Sequence, residues 1–277
     1  MIKFLFSKPL RVNNQLNNKI FKGFTLIELS VVLLIISLLM VGLLGPVGTQ
    51  IEAQERQQTI DTMNDILESL YGFAIINGRL PCPDTDGDGL SDPVASGTCT
   101  AATGDGWIPW QTLSLDFQGD VWGNRFKYHV TTPGFTTVDT GTCAADGELD
   151  LCQSGNITIL TRGDDTSTGA VVESKFQYNA ATLVPAVIVS HGRNSLGATT
   201  TLGTTMVATT AGTDENENDD ANTDANFYSR LFSSGAAGCT DAADEPTANV
   251  LCQFDDIVMW ISPNILMNRM VKAEVLP

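Results

Sequence analysis

The sequence predicts an α+β chain: one long N-terminal helix packed on an antiparallel β-sheet head with long, cysteine-bearing loops. Three observations carry this. Residues 24–78 hold one run of helical patterning, apolar at first and amphipathic after. From residue 80 onward Gly, Thr, Asp and Asn dominate, and short β-type runs stand between them. All six cysteines, from Cys82 to Cys252, fall in that second part, an even number that suits an oxidising compartment. The 277 residues are 43 % hydrophobic, enough to bury a core. The formal charge is −17, with 15 Lys+Arg against 32 Asp+Glu. That balance argues against a nucleic-acid partner, which needs clustered cations, and against adsorption of the head to anionic lipid. Only two histidines occur, His129 and His191, which thins out zinc sites and most His-dependent catalysis.

The first element is a basic leader. Residues 1–23 contain Lys3, Lys8, Arg11, Lys19 and Lys22 and no acid. Phe24–Leu44 follows, an apolar run whose one charge is Glu28. As a helix at about 1.5 Å per residue it reaches roughly 31 Å, against a hydrocarbon core of about 30 Å. Length therefore predicts a single membrane span, and the basic flank puts the N-terminus in the cytoplasm and the remainder across the membrane. A secretory signal peptide fits less well, because the apolar run exceeds the usual h-region and no small-x-small site closes it. A plain signal anchor leaves Glu28 unexplained, since a carboxylate in hydrocarbon costs on the order of 2–3 kcal/mol.

The segment Lys22-Gly23-Phe24-Thr25-Leu26-Ile27-Glu28-Leu29 resembles the class III signal of type IV pilins and type II secretion pseudopilins. The resemblance implies cleavage after Gly23 by prepilin peptidase on the cytoplasmic side and N-methylation of Phe24. Glu28 is then fifth in the mature chain, as in the family, where this glutamate is thought to pair with the N-terminal amine of a neighbouring subunit. The physical reason is mutual: a buried carboxylate and a buried ammonium each cost several kcal/mol alone, and pairing offsets that cost. An intrasubunit pair is the competing geometry. Implied partners are other pilin or pseudopilin subunits, prepilin peptidase and an inner-membrane assembly platform. The implied localisation is a single-pass inner-membrane protein with a periplasmic head, then a filament or the cell surface. The chain thus divides into the cleaved leader 1–23, the transmembrane and filament-core helix half 24–48, the amphipathic half 49–78 and the pilin-like head 79–277.

Gly42, Gly45, Pro46 and Gly48 predict a loosened or kinked zone in the helix. Beyond it Ile60, Met63, Leu67, Leu70 and Ala74 recur at three- and four-residue steps, a face expected to pack on a sheet, with Asp61, Asp65 and Glu68 elsewhere. Asn77-Gly78 is a stop signal ahead of Pro81 and Pro83. Strands are expected at 125–131, 156–161, 171–178, 186–190 and 254–261. Pro185 stands at the start of the fourth. Ser262-Pro263 predicts the N-cap and first position of a short helix running to about Ala273.

Asp120-Val121-Trp122-Gly123, with Tyr128 and Pro133-Gly134, is similar to the Asp-x-Trp-Gly segment of the major type II pseudopilin. Ser190–Ala198 with the acidic run Asp214–Asp224 loosely resembles its calcium loop. The larger, acidic, cysteine-bearing head implies a minor subunit or a specialised pilin. From the residues alone, Trp122 and Gly123 read as a core aromatic and a tight turn.

Asp84, Asp86, Asp88 and Asp92 stand at positions 1, 3, 5 and 9 of an EF-hand-type pattern. Gly89 is sixth and Leu90 seventh, where a backbone carbonyl serves. The terminal Glu is missing, with Ala95 in its place. The run also resembles the Asp-rich repeats of thrombospondin-type modules, and weak calcium binding is expected, at roughly 0.1–1 mM. Asp214, Asp219, Asp220 and Asp224 form a second possible metal set, although such charge runs are usually solvated. The cysteines fall into near pairs, Cys82/Cys99, Cys143/Cys152 and Cys239/Cys252, a preference among fifteen pairings. No enzyme is expected: Ser190-His191 is an adjacency without a triad, and no phosphate loop or dinucleotide fingerprint occurs. Two readings stand, a filament subunit and a membrane-tethered, calcium-stabilised surface binding module or adhesin.

Overall fold

A computed structural model describes residues 23–94, 99–138, 149, 151, 153–162, 172–174, 183–209, 213–235 and 252–276, without the side chains of 41–47, 49, 161–162 and 172–174. The chain divides into two units, Met1–Ile51 and Glu52–Pro277. The elements in order are α1 (Leu26–Asn77), β1 (Asp105–Trp107), β2 (Lys127–Val130), β3 (Thr158–Arg162), β4 (Val172–Ser174), β5 (Ala186–Ser190), α2 (Asp214–Asn218), β6 (Asn226–Tyr228), β7 (Ser233–Ser234), β8 (Gln253–Phe254), β9 (Ile257–Trp260) and α3 (Pro263–Lys272). The α+β mixture of an N-terminal helix and an antiparallel sheet is present, and so is a disulfide, Cys82–Cys99.

In the first unit α1 continues through Gly42, Gly45, Pro46 and Gly48 as one unbroken helix. Leu26, Ile27, Leu29, Leu33, Leu34 and Leu38 are all exposed. A helix apolar on every side cannot satisfy itself in water and calls for lipid or other helices. The expected span 24–44 runs into residues 41–47, whose side chains lie outside the described residues. Among the described residues no helix is long and apolar enough to cross a membrane.

In the second unit the predicted stripe of α1 is the core face. Met63, Leu70 and Ala74 are fully buried, joined by Ile66, while Ile60 and Leu67 pack at the edge. Asp61, Asp65 and Glu68 stay exposed. The helix stops where expected, since Gly78 takes φ +68°, a conformation that costs a residue with a Cβ.

The stripe meets a four-stranded antiparallel sheet in the order β1-β2-β5-β9, with Tyr128 opposite Ile188 and Ile188 opposite Met259. The pleat sorts β2 by parity. Phe126, Tyr128 and Val130 join the helix-side core. Lys127 and His129 point to the other face and are also buried, against Phe227. A second core on that face, Ile157, Ile159, Val184, Val187, Val189, Phe227 and Val258, is covered by the sheet β4-β3-β6.

Two expectations change. The sheets are not all antiparallel, because β3 pairs with β6 in parallel. The strand expected over 254–261 is split into β8 and β9 by Asp255-Asp256, both buried and engaged in polar contacts that a continuous strand would not permit. Ser262 does stand at the N-cap of α3 with Pro263 behind it, but its hydroxyl makes no capping bond. Arg269 of α3 instead grips Glu68 of α1 with two hydrogen bonds, of 2.6 and 2.8 Å, and lies over the Tyr71 ring.

Candidate functional site

The residues singled out by sequence fall into three places. At the start of α1, Phe24 and Glu28 are exposed. Thr25 Oγ1 accepts a hydrogen bond from the Glu28 N–H (3.3 Å), and Glu28 Oε2 accepts one from the Thr25 N–H (3.5 Å). This reciprocal pair is a capping box: Thr at the cap and Glu three positions on satisfy two of the donors that a helix start leaves free. The signal Thr25-x-x-Glu28 was present in the sequence, and sequence reasoning passed over it.

The second place is the loop after α1. Asp84 is buried, and its carboxylate accepts the N–H groups of Gly87 (2.6 Å), Gly89 (2.8 Å) and Asp86 (3.2 Å). Gly87 and Gly89 have φ of +85° and +87°, which turns their N–H groups inward. Arg125 closes over Gly87, donating to its carbonyl, and stacks on Trp107. A Cβ on Gly87 would strike that guanidinium. Burial pushes the Asp84 carboxyl above its ordinary range, and the two glycine N–H groups and Arg125 pull against this.

Oxygens of Asp84, Asp86 and Asp88 lie within 4.8 Å of one another, a set able to hold a cation. Asp92 is not in that set: its Oδ2 accepts from both the N–H and the hydroxyl of Thr85, at 2.7 and 2.6 Å. The Leu90 N–H donates to Asp88. The bond Cys82–Cys99 closes around this loop, with Cα atoms 5.4 Å apart. Cys252 is also disulfide-bonded. Cys143, Cys152 and Cys239 lie outside the described residues.

The third place is a buried polar layer on the far side of the sheet, and it corrects the expectation of a solvated acidic run. Asp214, Glu215, Asn218 and Asp219 are all buried. The four expected ligands take separate partners. Asp214 pairs with Arg230 (2.6 Å). Asp219 accepts from Thr209 and from the Ala221 N–H. Asp220 accepts from His191 Nε2 (3.0 Å) and Trp107 Nε1 (3.2 Å). Asp224 turns to the Asn226 N–H.

The acids that converge are Glu215, Asp255 and Asp256, with oxygens within 4.8 Å of one another. Sequence reasoning missed them because Asp255-Asp256 lay inside an expected strand. Arg56 of α1 donates to the Asp255 carbonyl (2.9 Å). Asn194 reaches both Asp255 and Glu215. Burial, helped by Asp256, pushes Glu215 up to about 8, and burial pushes Asp256 up to about 7 although His191 opposes it. For His191, burial works downward, yet the Asp220 carboxylate outweighs it and the imidazole is raised. For Asp220, burial works upward, and His191 outweighs it, so the carboxyl is lowered.

These raised groups set a pH dependence. A carboxyl raised in the folded state contributes stability below its unfolded value near 4, and that contribution is lost as pH climbs through 7–8. The raised His191 acts in the same sense. The melting temperature in chelator should therefore fall between pH 6 and pH 8.5, by at least about 3 °C. Glu215→Gln should flatten the slope. A melting temperature constant over that range would refute the assignment.

The segment resembling the pseudopilin Asp-x-Trp-Gly motif organises one edge of this layer. Asp120 is buried and accepts from the N–H groups of Trp122 (3.0 Å) and Asn124 (2.9 Å) and from the Ser190 hydroxyl (2.7 Å). Gly123 has φ +86°, as the tight turn requires. Trp122 is half-buried, and its indole donates to Glu55 of α1 (3.2 Å).

No curated protein and no solved structure matches this chain. Residues 18–44 match the family described as Prokaryotic N-terminal methylation motif. That stretch spans the basic leader's end, Gly23, Phe24 and Glu28. The chain therefore carries, at its N-terminal helix, the signature of type IV pilins and pseudopilins.

Proposed function

We propose that this chain is a minor structural subunit of a type IV pilus or of a type II secretion pseudopilus. The observation that carries the reading is the methylation motif at residues 18–44, continued by a helix half that is apolar on every described side. In this reading prepilin peptidase cuts after Gly23 and methylates Phe24. The apolar helix half holds the subunit in the inner membrane and then among neighbouring helices of the filament, with the head in the periplasm or at the surface. Glu28 pairs with the Phe24 amine of a neighbour and fixes axial register. Intact-mass spectrometry on membrane material tests the first step. The expected product starts at N-methyl-Phe24, and Gly23→Val should remain uncut. A wild-type product starting beyond Leu44, or an uncut chain in cells with active peptidase, would overturn it.

Calcium at the Asp84 loop is part of the proposal. Asp84, Asp86 and Asp88 supply the carboxylates. Stabilisation follows RT ln(1 + [Ca²⁺]/Kd), about 1.4 kcal/mol at ten times Kd. The melting temperature of the full-length chain in detergent should rise by about 3–6 °C with calcium at ten times Kd. Magnesium should substitute poorly, because it keeps its waters and demands a tight octahedron. Asp86→Ala with Asp88→Ala should remove most of the gain. An equal gain in wild type and double variant would show that this loop is not the site.

A further inference from the structure

A cavity of about 290 Å³ opens beside the Asp84 loop, lined by Thr85, Thr103, Asp105, Trp107, Asp220 and Thr223, with Ala101 and Gly106 at its wall. Its two carboxylates are held from behind. Asp105 Oδ1 receives His129 Nδ1 (3.2 Å) and lies 3.4 Å from Lys127 Nζ. Lys127 is itself anchored on the carbonyls of Asp219 and Asn222. Asp220 is held by His191 and by the Trp107 indole. Both aspartates keep about a tenth of their side-chain surface open, while Lys127, His129 and His191 behind them are buried. Among the described residues, Oδ2 of Asp105 has no hydrogen-bond partner.

The lining decides the ligand class. Among the described residues no Lys or Arg side chain lines the cavity, so an anion finds no counter-charge there. Each aspartate already faces a basic side chain, so a bare cation gains little. What remains is a fixed pair of acceptors, three threonines able to donate or accept, and one indole. A small, mostly preformed pocket with a few convergent polar groups and an aromatic wall suits a neutral ring that is rich in hydroxyls and has an apolar face. Acceptors held in place before binding lower its ordering cost.

We propose that this cavity is a binding site for a single neutral saccharide ring, with Asp105 and Asp220 accepting its hydroxyls and Trp107 forming the wall against its apolar face. This goes beyond filament assembly, and it stands or falls independently of the N-terminal signal.

The test uses the full-length chain in a detergent without a sugar headgroup. The probes are the methyl glycosides of glucose, galactose, mannose and N-acetylglucosamine, followed by saturation-transfer NMR. At least one should bind saturably at millimolar concentration and be displaced by none of acetate, phosphate or tetramethylammonium. Thr103→Trp adds an indole at an exposed rim position, and it should fill the cavity and weaken binding at least about tenfold. Asp105→Asn should weaken it too; if that variant does not fold, Thr103→Trp alone decides. Absence of saturable binding to every glycoside at about 50 mM, a ceiling weaker than any useful site, would overturn the proposal. So would unchanged binding by folded Thr103→Trp.

Discussion

Glu28→Gln should leave membrane insertion and cleavage intact and nearly abolish incorporation into filaments. The capping box sharpens this expectation. Gln serves as well as Glu at the third helical position, so its side chain can still reach the Thr25 N–H and the helix start is preserved. What the substitution removes is charge alone. In the proposed filament that charge would meet the Phe24 amine of a neighbour, and an ammonium left without its carboxylate in a helix-packed core costs several kcal/mol, about 3–5 for a broken buried pair. A loss of that size per subunit corresponds to at least about a hundredfold in incorporation. Glu28→Ala would confound two effects, since it also removes the capping bond. Co-purification of tagged subunit with sheared filaments measures the outcome. Normal incorporation of the Gln form would show that charge pairing does not drive assembly.

Asp120→Ala should be the most damaging single change in the head. Its carboxylate satisfies two backbone N–H groups and the Ser190 hydroxyl, the Asn124 and Ser190 bonds buried and the Trp122 bond partly so. Truncation leaves three donors without partners, each costing about 1–3 kcal/mol less whatever water recovers. A net loss of about 3 kcal/mol lowers the melting temperature by roughly 6–12 °C. Asp120→Asn keeps the shape and one acceptor oxygen, so it should lose less than half as much. Thermal melts of the full-length proteins distinguish these. Equal, small shifts for both would show that the turn 120–124 is held by its backbone alone.

Much of the fold was legible because its signals are periodic. Met63, Leu70 and Ala74 announce the helix's core face by spacing, and Asn77-Gly78 announces its end. Phe126, Tyr128 and Val130 announce β2 and its buried face. The opposite face was not legible. Lys127 and His129 alternate with the core residues, and it is Phe227 of β6, with the Asp219 and Asn222 carbonyls over Lys127, that makes their face interior. Charge runs are read as solvated because burial of a lone acid is costly; here Asp214, Asp220 and Asp219 find partners outside the run, Arg230, His191 and Thr209 respectively. No spacing rule encodes such pairings. The parallel pairing of β3 with β6 belongs to the same class, since it joins segments over 60 residues apart. At the Asp84 loop the 1, 3, 5 spacing agrees with the three carboxylates that come within 4.8 Å of one another, whereas Asp92 turns to Thr85, a contact nothing local reveals.

Strand β5 has a consequence for how the head opens. It lies between β2 and β9, and all five of its residues are buried. Ala186 and Ile188 belong to the core against the helix; Val187 and Val189 belong to the core on the far side. Neither core can be dismantled without stripping one face of this strand, so the two are not separate melting units. Amide protons at the centre of β5 should exchange with solvent only when the whole head unfolds. Their protection should then report global stability, while a rim turn such as Leu202-Gly203, with Leu202 93 % exposed, should exchange far faster. A head built this way has one cooperative switch from ordered to open, and mechanical load on a filament would meet it as a single barrier rather than a staircase.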